Sequence, residues 1–354
     1  MPSTDIVRDI HVLVQTKLIP VVPVRWREQF SFGMQAFSLR PFQSAGSNAR
    51  QVVAKAATAS TKCDRLLANA QLTAHFGEVF DQLGIVHRGS YVNIDHSDQD
   101  GLTSLVGAVQ TRHGRAVPCL VETTYAHHIP NDSDKPRWQK LRAAMLAARR
   151  VQSFTGHTID ALQNFHDRLG FWPKLVFDRG FANESLLTHL HAEGATFYVR
   201  LKAGRYVEYD GQRTTVRELP QKDGVVTLFG LTLRVIRTPK SRRHPESWYI
   251  LTNDMSGSRT KIARVYYHRF EIEETFKDMK QLFEHHHGQF MRPNSLQTIW
   301  WLVVLGIALL YTVTRPNKAV AHAAHPKKRI SWLRQAYEQF QLACGQLIWQ
   351  ERTG

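Results

Sequence analysis

The chain has 354 residues, 43% hydrophobic and 21% charged, which is enough for a substantial core in one large domain or two to three smaller ones. Lys and Arg outnumber Asp and Glu by 46 to 30, a formal net charge of +16, so the expected partner is a polyanion: nucleic acid or an anionic membrane surface. Three scattered cysteines, Cys63, Cys119 and Cys344, have no metal-ligand spacing; this excludes a disulfide framework and a zinc finger and suits a reducing cytoplasm.

In chain order, residues 1 to about 85 read as helical. Asp5 to Ile19 has apolar residues at helical spacing (Ile6, Ile10, Leu13, Val14) and stops at Pro20. A loop is expected around Pro41 to Asn48, then an Ala-rich helical region from Val52 to Leu83. Its lysines and arginines suggest DNA contact. No signal-peptide order of charge, apolar run and cleavage site opens the chain.

The texture then changes. Tyr91-Val-Asn-Ile-Asp95 is a short strand ending in an acid. Leu102 to Thr111 and Ala116 to Tyr125 are strand-like runs about a turn at His113-Gly114-Arg115. Lys135 to Leu169 reads as one long helix or two. Lys174-Leu-Val-Phe-Asp178 is another strand ending in an acid, followed by a helix from Ala182 to Glu193 and a strand from Thr196 to Lys202, on which Arg200 and Lys202 share a face. Residues 205 to 252 read as a β-rich insertion, with a hairpin at Asp210-Gly211.

A helix is expected from about Lys261 to Phe283. It carries Tyr266, Arg269, Glu273 and Lys280, at offsets of 3, 7 and 14 from the tyrosine. On one α-helix all four fall within an arc of roughly 60°. Ile299 to Val313 is a run of about 15 apolar residues, short of the roughly 20 that cross a bilayer, so a buried helix is expected there. His285, His286 and His287 point about 100° apart on a helix and do not clasp one metal. A basic cluster, Lys327, Lys328 and Arg329, precedes a last helix from about Trp332 to Trp349.

Three acids stand out by position. Asp95 and Asp178 end strands, and Glu273 lies on a late helix. Acids at strand ends sit at a sheet's rim, where elements converge. Carboxylates gathered in one cleft need cations to remain ionised, and an oxygen-only donor set favours Mg²⁺ or Mn²⁺. Two such ions serve an in-line attack at phosphorus. Asp98 and Asp100 compete with Asp95 for the first place.

On these residues the chain resembles a DDE transposase of a prokaryotic insertion sequence. It resembles the branch marked Tyr-x2-Arg-x3-Glu-x6-Lys, whose spacing Tyr266, Arg269, Glu273 and Lys280 match without a gap. Asp178-Arg179-Gly180-Phe181 resembles that branch's second-acid motif and Tyr91 to Asp95 its first, with Ser97 where members often carry Thr or Ser; His96 is less typical. The resemblance covers about residues 88 to 315. It implies an α/β, RNase H-like mixed sheet with a β-rich insertion before the helix bearing the Glu.

The expected organisation is a helical N-terminal region over 1–86, a catalytic domain over 87–315 and a basic helical tail over 316–354. The resemblance further implies cut-and-paste transposition. A nick at the transposon end is followed by attack of the 3′-hydroxyl on target DNA, with a hairpin intermediate on the other strand. Asp95, Asp178 and Glu273 would hold two Mg²⁺ ions, with Mn²⁺ able to substitute. Arg179, Tyr266, Arg269 and Lys280 would position DNA. The insertion would steady the hairpin, and Trp248 within it is expected to be core rather than a base-stacking platform. The implied partners are terminal inverted repeats, target DNA and a second copy in the synaptic complex, in a cytoplasmic, nucleoid-associated protein without a membrane span. The rival readings are an RNase H-like nuclease that cuts without joining and a domesticated DNA-binding protein.

Overall fold

The structure, a computed structural model, describes residues 3–39, 43–53, 55–99, 101–111, 113–126, 142–148, 153–239, 246–284, 290–314 and 331–353. The chain packs as two compact units. One comprises Met1–Ile85, His96–Ala148 and Glu271–Gly354; the other comprises Val86–Asp95 and Arg149–Phe270.

Ten strands follow in sequence: β1 (Tyr91–Gln99), β2 (Leu102–Val109), β3 (Val117–Tyr125), β4 (Lys174–Phe177), β5 (Phe197–Leu201), β6 (Tyr206–Tyr209), β7 (Gln212–Thr215), β8 (Asp223–Leu228), β9 (Leu231–Arg237) and β10 (Tyr249–Thr252). Their hydrogen-bonded order is β3-β2-β1-β4-β5-β10-β9-β8-β6-β7. β1, β4 and β5 run parallel, and β2 and β3 are antiparallel. That order and sense make the first five strands an RNase H-like mixed sheet. The helices at Phe154–Leu169 and Glu184–Ala192 serve the parallel crossovers.

The register of the central pair sets up the site. Tyr91 faces Lys174, and Ile94 faces Phe177. The next residues along the two strands are Asp95 and Asp178. Residues in parallel register project to the same face of the sheet, on strands about 4.8 Å apart.

The expected insertion is β6 to β10, ordered β10-β9-β8-β6-β7, an antiparallel group that joins the sheet through β10 and β5. Asp210-Gly211 has positive φ at both residues (50° and 73°), and so does Phe229-Gly230 (57° and 73°). Two consecutive left-handed residues make the turn whose twist matches paired strands, and glycine takes the second position without a Cβ penalty.

The N-terminal region is helical, as expected, with helices at Ser3–Leu13, Arg27–Gly33, Ala45–Arg50, Ala56–Ala68 and Ala70–Asp81. Two details differ from the sequence reading. A short helix begins inside the expected Pro41–Asn48 loop, where the Ser44 hydroxyl accepts the Ser47 N–H and supplies an N-cap. The Val52–Leu83 helix is split at Asn69, whose side chain accepts the Leu72 N–H and starts a second helix.

The apolar run is longer than its sequence length indicated. The helix spans Pro293–Thr314, 22 residues, and is long and apolar enough to cross a membrane. Length therefore does not exclude a span. Burial makes it a core helix: 78% of its most apolar window is buried within the fold. Inside its unit, Trp301 lies 6.3 Å from Phe80 and the Thr298 and Thr73 hydroxyls are 2.7 Å apart. His285 to His287 and Lys327 to Arg329 lie outside the described residues, as do parts of the Lys135–Leu169 segment.

Gly306 marks the tightest approach to that helix. A Cβ there would overlap the backbone oxygen of Ser38 and meet Leu39 at 2.9 Å. Backbone cannot rotate away as a side-chain tip does. Gly306→Ala is expected to lower stability by about 1–3 kcal/mol, read as a shift of the denaturation midpoint; an unchanged midpoint would show that the two segments separate easily.

Candidate active site

The helix that carries the four-residue signature is not continuous. One helix runs Arg259–Tyr267, a turn follows at His268-Arg269, and a second helix runs Phe270–Asp278 before a wider π-helical turn at Met279–Phe283. The single helix expected from the spacing is therefore interrupted at His268-Arg269. A contact from β1 meets that turn. The Asn93 side-chain amide, wholly buried, donates to the His268 carbonyl at 3.1 Å. That contact draws the carbonyl toward β1, where a continuous helix would aim it along its own axis.

The break sorts the four residues. Tyr266 and Arg269 are buried, at 1% and 4% exposure, whereas Glu273 and Lys280 are exposed. The Arg269 guanidinium reaches the Asp95 carboxylate at 3.6 Å. It also lies 4.8 Å from the Phe270 ring centroid and 6.0 Å from that of Tyr266. An arginine so removed from water needs these partners, because an unpaired buried charge costs several kcal/mol. Phe270 and Tyr266 in turn pack on Trp248, with centroids 5.5 and 5.7 Å away. Trp248 is 6% exposed, the core residue expected of it.

Asp178 is half-buried and opens a short 3-10 turn, Arg179–Phe181, whose Arg179 is exposed. Burial pushes the Tyr266 phenol above its usual pKa. The Arg269 charge opposes that rise, Asp178 adds to it and Arg200 opposes it. Within this unit, Asp95, Asp178, Tyr266, Arg269 and Arg200 thus form one electrostatic neighbourhood. Arg200, on β5, also stands 5.2 Å from the Trp248 ring. Neither Arg200 nor Asn93 was picked out as a site residue from sequence. The signals for them were a polar residue at the centre of Tyr-Val-Asn-Ile-Asp and a cation on an otherwise buried strand.

Glu273 and Lys280 belong to the other unit. There, the inner face of the Phe270–Asp278 helix is tied to the segment around Arg115. Glu271 accepts the Thr111 N–H at 2.9 Å, the Thr275 hydroxyl bonds the Ala116 backbone at 2.9 Å, and Asp278 pairs with Arg115 at 2.7 Å. Residues 271, 275 and 278 face inward by helical spacing. Residues 273, 277 and 280 face outward, and all three are exposed.

The competing acids near Asp95 are distinguished by contact. Asp98 accepts a hydrogen bond from the Thr103 hydroxyl at 2.5 Å across the β1–β2 hairpin. It lies an odd number of residues from Asp95, so it projects from the opposite strand face. Asp100 lies outside the described residues. Among the described residues, no group of three or more His, Cys, Asp or Glu side chains is gathered to hold a metal ion. The oxygen-only carboxylates of Asp95 and Asp178, carried on register-matched strands, are a donor type that suits Mg²⁺ or Mn²⁺.

Comparison with known proteins agrees with this chemistry. Residues 141–310 match the family model described as "Transposase DDE domain". The matched segment, just under half of the chain, is thus similar to a transposase DDE domain. Among solved structures, it is similar to the piggyBac transposase in a cryo-EM synaptic complex with hairpin DNA. Identity is 8%, coverage is 99% of this chain and 82% of that one, and the TM-score is 0.42. No curated protein matches the sequence.

The Tyr266 hydroxyl is buried without a well-formed hydrogen bond among the described residues. Removing an unsatisfied buried hydroxyl relieves a desolvation cost. Tyr266→Phe is expected to keep or raise stability, by up to about 1–2 kcal/mol, while DNA processing falls. A marked loss of stability would mean that the hydroxyl has a structural partner.

The same core cluster carries a second buried phenol, Tyr198, which donates to Asp254 at 2.8 Å. Burial raises the Asp254 pKa, but hydrogen bonds from Tyr198, Gly257 and Ser256 outweigh it and hold the value at about 2. The unfolded value is about 3.9. This contribution to stability is fully present above about pH 4 and is lost as pH falls through about 2. Asp254→Asn is expected to flatten the pH dependence of the unfolding midpoint across that window; the same slope in wild type and variant would show that other carboxylates set it.

Proposed function

We propose that the protein cleaves DNA at transposon ends and joins the freed 3′-hydroxyl to target DNA. The observation that carries this reading is the register of β1 and β4, which brings Asp95, midway along β1, level with Asp178 just past the end of β4. Asp95, Asp178 and Glu273 are the acids required for the reaction. Asp95 is preferred to Asp98 because Asp98 is engaged with Thr103 on the other strand face. Bound Mg²⁺ or Mn²⁺, two ions by resemblance, would supply activation of the attacking oxygen and stabilisation of the leaving one.

The other residues act on the DNA. Arg179, exposed beside Asp178, contacts the backbone next to the scissile phosphate. Arg269 is held near Asp95 without DNA and exchanges that contact for a phosphate when the substrate arrives. Tyr266 presents a neutral phenol, since its pKa lies above the usual value, and serves as a hydrogen-bond donor to phosphate oxygen. Lys280, on the exposed face with Glu273, supplies a further phosphate contact. We assign the protein to the Tyr-x2-Arg-x3-Glu-x6-Lys branch of insertion-sequence transposases. It is expected to act on terminal inverted repeats as a homodimer in the bacterial or archaeal nucleoid.

The direct test supplies the terminal repeat that flanks the gene, pre-nicked, with a target plasmid and Mg²⁺ or Mn²⁺. Joined product is the expected outcome. Asp95→Asn, Asp178→Asn and Glu273→Gln are each expected to reduce joining at least about 100-fold while DNA binding persists. Full joining by Glu273→Gln would remove that residue from the site, and cutting without joining would identify a nuclease. Binding to duplex DNA is expected to weaken by about 10³-fold or more between 50 and 200 mM salt, because counterion release dominates the affinity; salt-independent binding would deny the basic residues this role.

A further inference from the structure

The β-rich insertion carries a second basic feature that the acids do not use. A cleft of about 710 Å³ is lined by Arg217, Lys222, Arg237 and Arg259, with Glu246 the one acid among its described lining residues. The four cations come from separate elements: the turn after β7, the approach to β8, the last residue of β9 and the first residue of the Arg259–Tyr267 helix. Backbone bonds fix their positions. The Arg237 N–H donates to the Lys222 carbonyl at 2.8 Å, and the Arg217 N–H donates to the Ala203 carbonyl at 3.1 Å.

One arginine of this insertion has an acid partner. Arg234 binds Asp223 through two nitrogens, each at 2.6 Å. The four cleft cations have no such ion pair among the described residues. Glu218 feels the charge of Arg217, but its carboxylate is already bonded by the Thr214 and Thr215 hydroxyls and the Thr215 N–H. Even with Glu218 counted beside Glu246, four positive charges face two negative ones. Like charges held together at fixed backbone positions repel, and an anion in the cleft relieves that repulsion.

We infer that this cleft is a phosphate-binding site that grips the DNA backbone away from the scissile bond. It holds no paired carboxylates, so its role is binding rather than cutting. Lys222 and Arg217 are exposed, and Arg237 and Arg259 are half-buried, so charge is presented at both the rim and the floor. Contacts of this kind carry affinity and register without reading sequence. The site deepens the DNA-joining function proposed above and rests on it for the identity of the anion.

The test uses the full chain with Arg217→Gln and Lys222→Gln combined, both exposed positions whose change should leave the unfolding midpoint where it is. The probe is a duplex of random sequence, about 40 base pairs long. Each lost phosphate contact lowers the magnitude of the log K against log [salt] slope by about 0.9, so the double variant is expected to lose about 1.8. Its affinity at moderate salt is expected to fall about 10-fold or more. An unchanged slope with intact binding would overturn the inference.

Inorganic phosphate forms a second arm. If wild type binds it at submillimolar concentration, and the variant loses that binding with an unchanged DNA slope, the cleft is a free-phosphate site and the DNA assignment is wrong. A wild type that binds duplex with the expected slope difference but joins no ends would sink the transposase reading and leave the cleft standing. A wild type that joins ends while the variant's slope matches its own would remove the cleft alone.

Discussion

Parallel pairing of β1 with β4 is the constraint on which the rest of the structure depends. Parallel strands cannot be joined by a tight turn, so the chain must travel through a helical crossover before β4 returns beside β1. The return in this register lays Leu175 beside Val92 and Phe177 beside Ile94. Four buried apolar side chains thereby hold the alignment by burial, and a slip of one residue would exchange the faces of the slipping strand's side chains, swapping Leu175 and Phe177 with Val176 if β4 moved. The acids follow those apolar runs directly. Their alignment is a by-product of a hydrophobic fit that would be strong without them.

Electrostatics then shape what surrounds the acids. Arg269 is nearly removed from water, and its charge is balanced by Asp95 and by the faces of two aromatic rings. Asn93 bonds the His268 carbonyl, between one helix and the next, which begins at Phe270. A single buried amide thus meets the turn that separates the two helices, and Tyr266 and Arg269 beside it are buried. Aromatic packing on Trp248 supplies the rigid backing that a buried guanidinium requires.

The insertion and the other unit follow a similar division of labour. Where a charge must be structural, it is paired: Arg234 with Asp223, Arg115 with Asp278. Where cations line the cleft at Arg217, Lys222, Arg237 and Arg259, no such ion pair is present among the described residues. The long apolar helix at Pro293–Thr314 shows the converse economy, with composition fit for a bilayer and side chains spent on a protein core.

Much of this was legible in sequence, because short-range rules govern it. Alternating and apolar runs marked β1 to β5, and Asp-Gly marked the first insertion hairpin; helical spacing singled out Tyr266, Arg269, Glu273 and Lys280 as candidates, position singled out Asp95 and Asp178, and the resemblance added Arg179. Position correctly put Asp178 at the end of its strand, but Asp95 lies midway along β1, which continues to Gln99 because its second half pairs on with β2. What sequence could not decide was anything set by a distant partner. The helix break at His268-Arg269 is met by Asn93, 175 residues away. The preference for Asp95 over Asp98 comes from strand pairing and from Thr103. Arg200 joined the site neighbourhood only when β5 took its place beside β4 and the Trp248 ring took its place beside it. Local periodicity determines which elements form and which residues end them; tertiary contacts between segments far apart in the chain determine which of those residues are buried, and beside what charge.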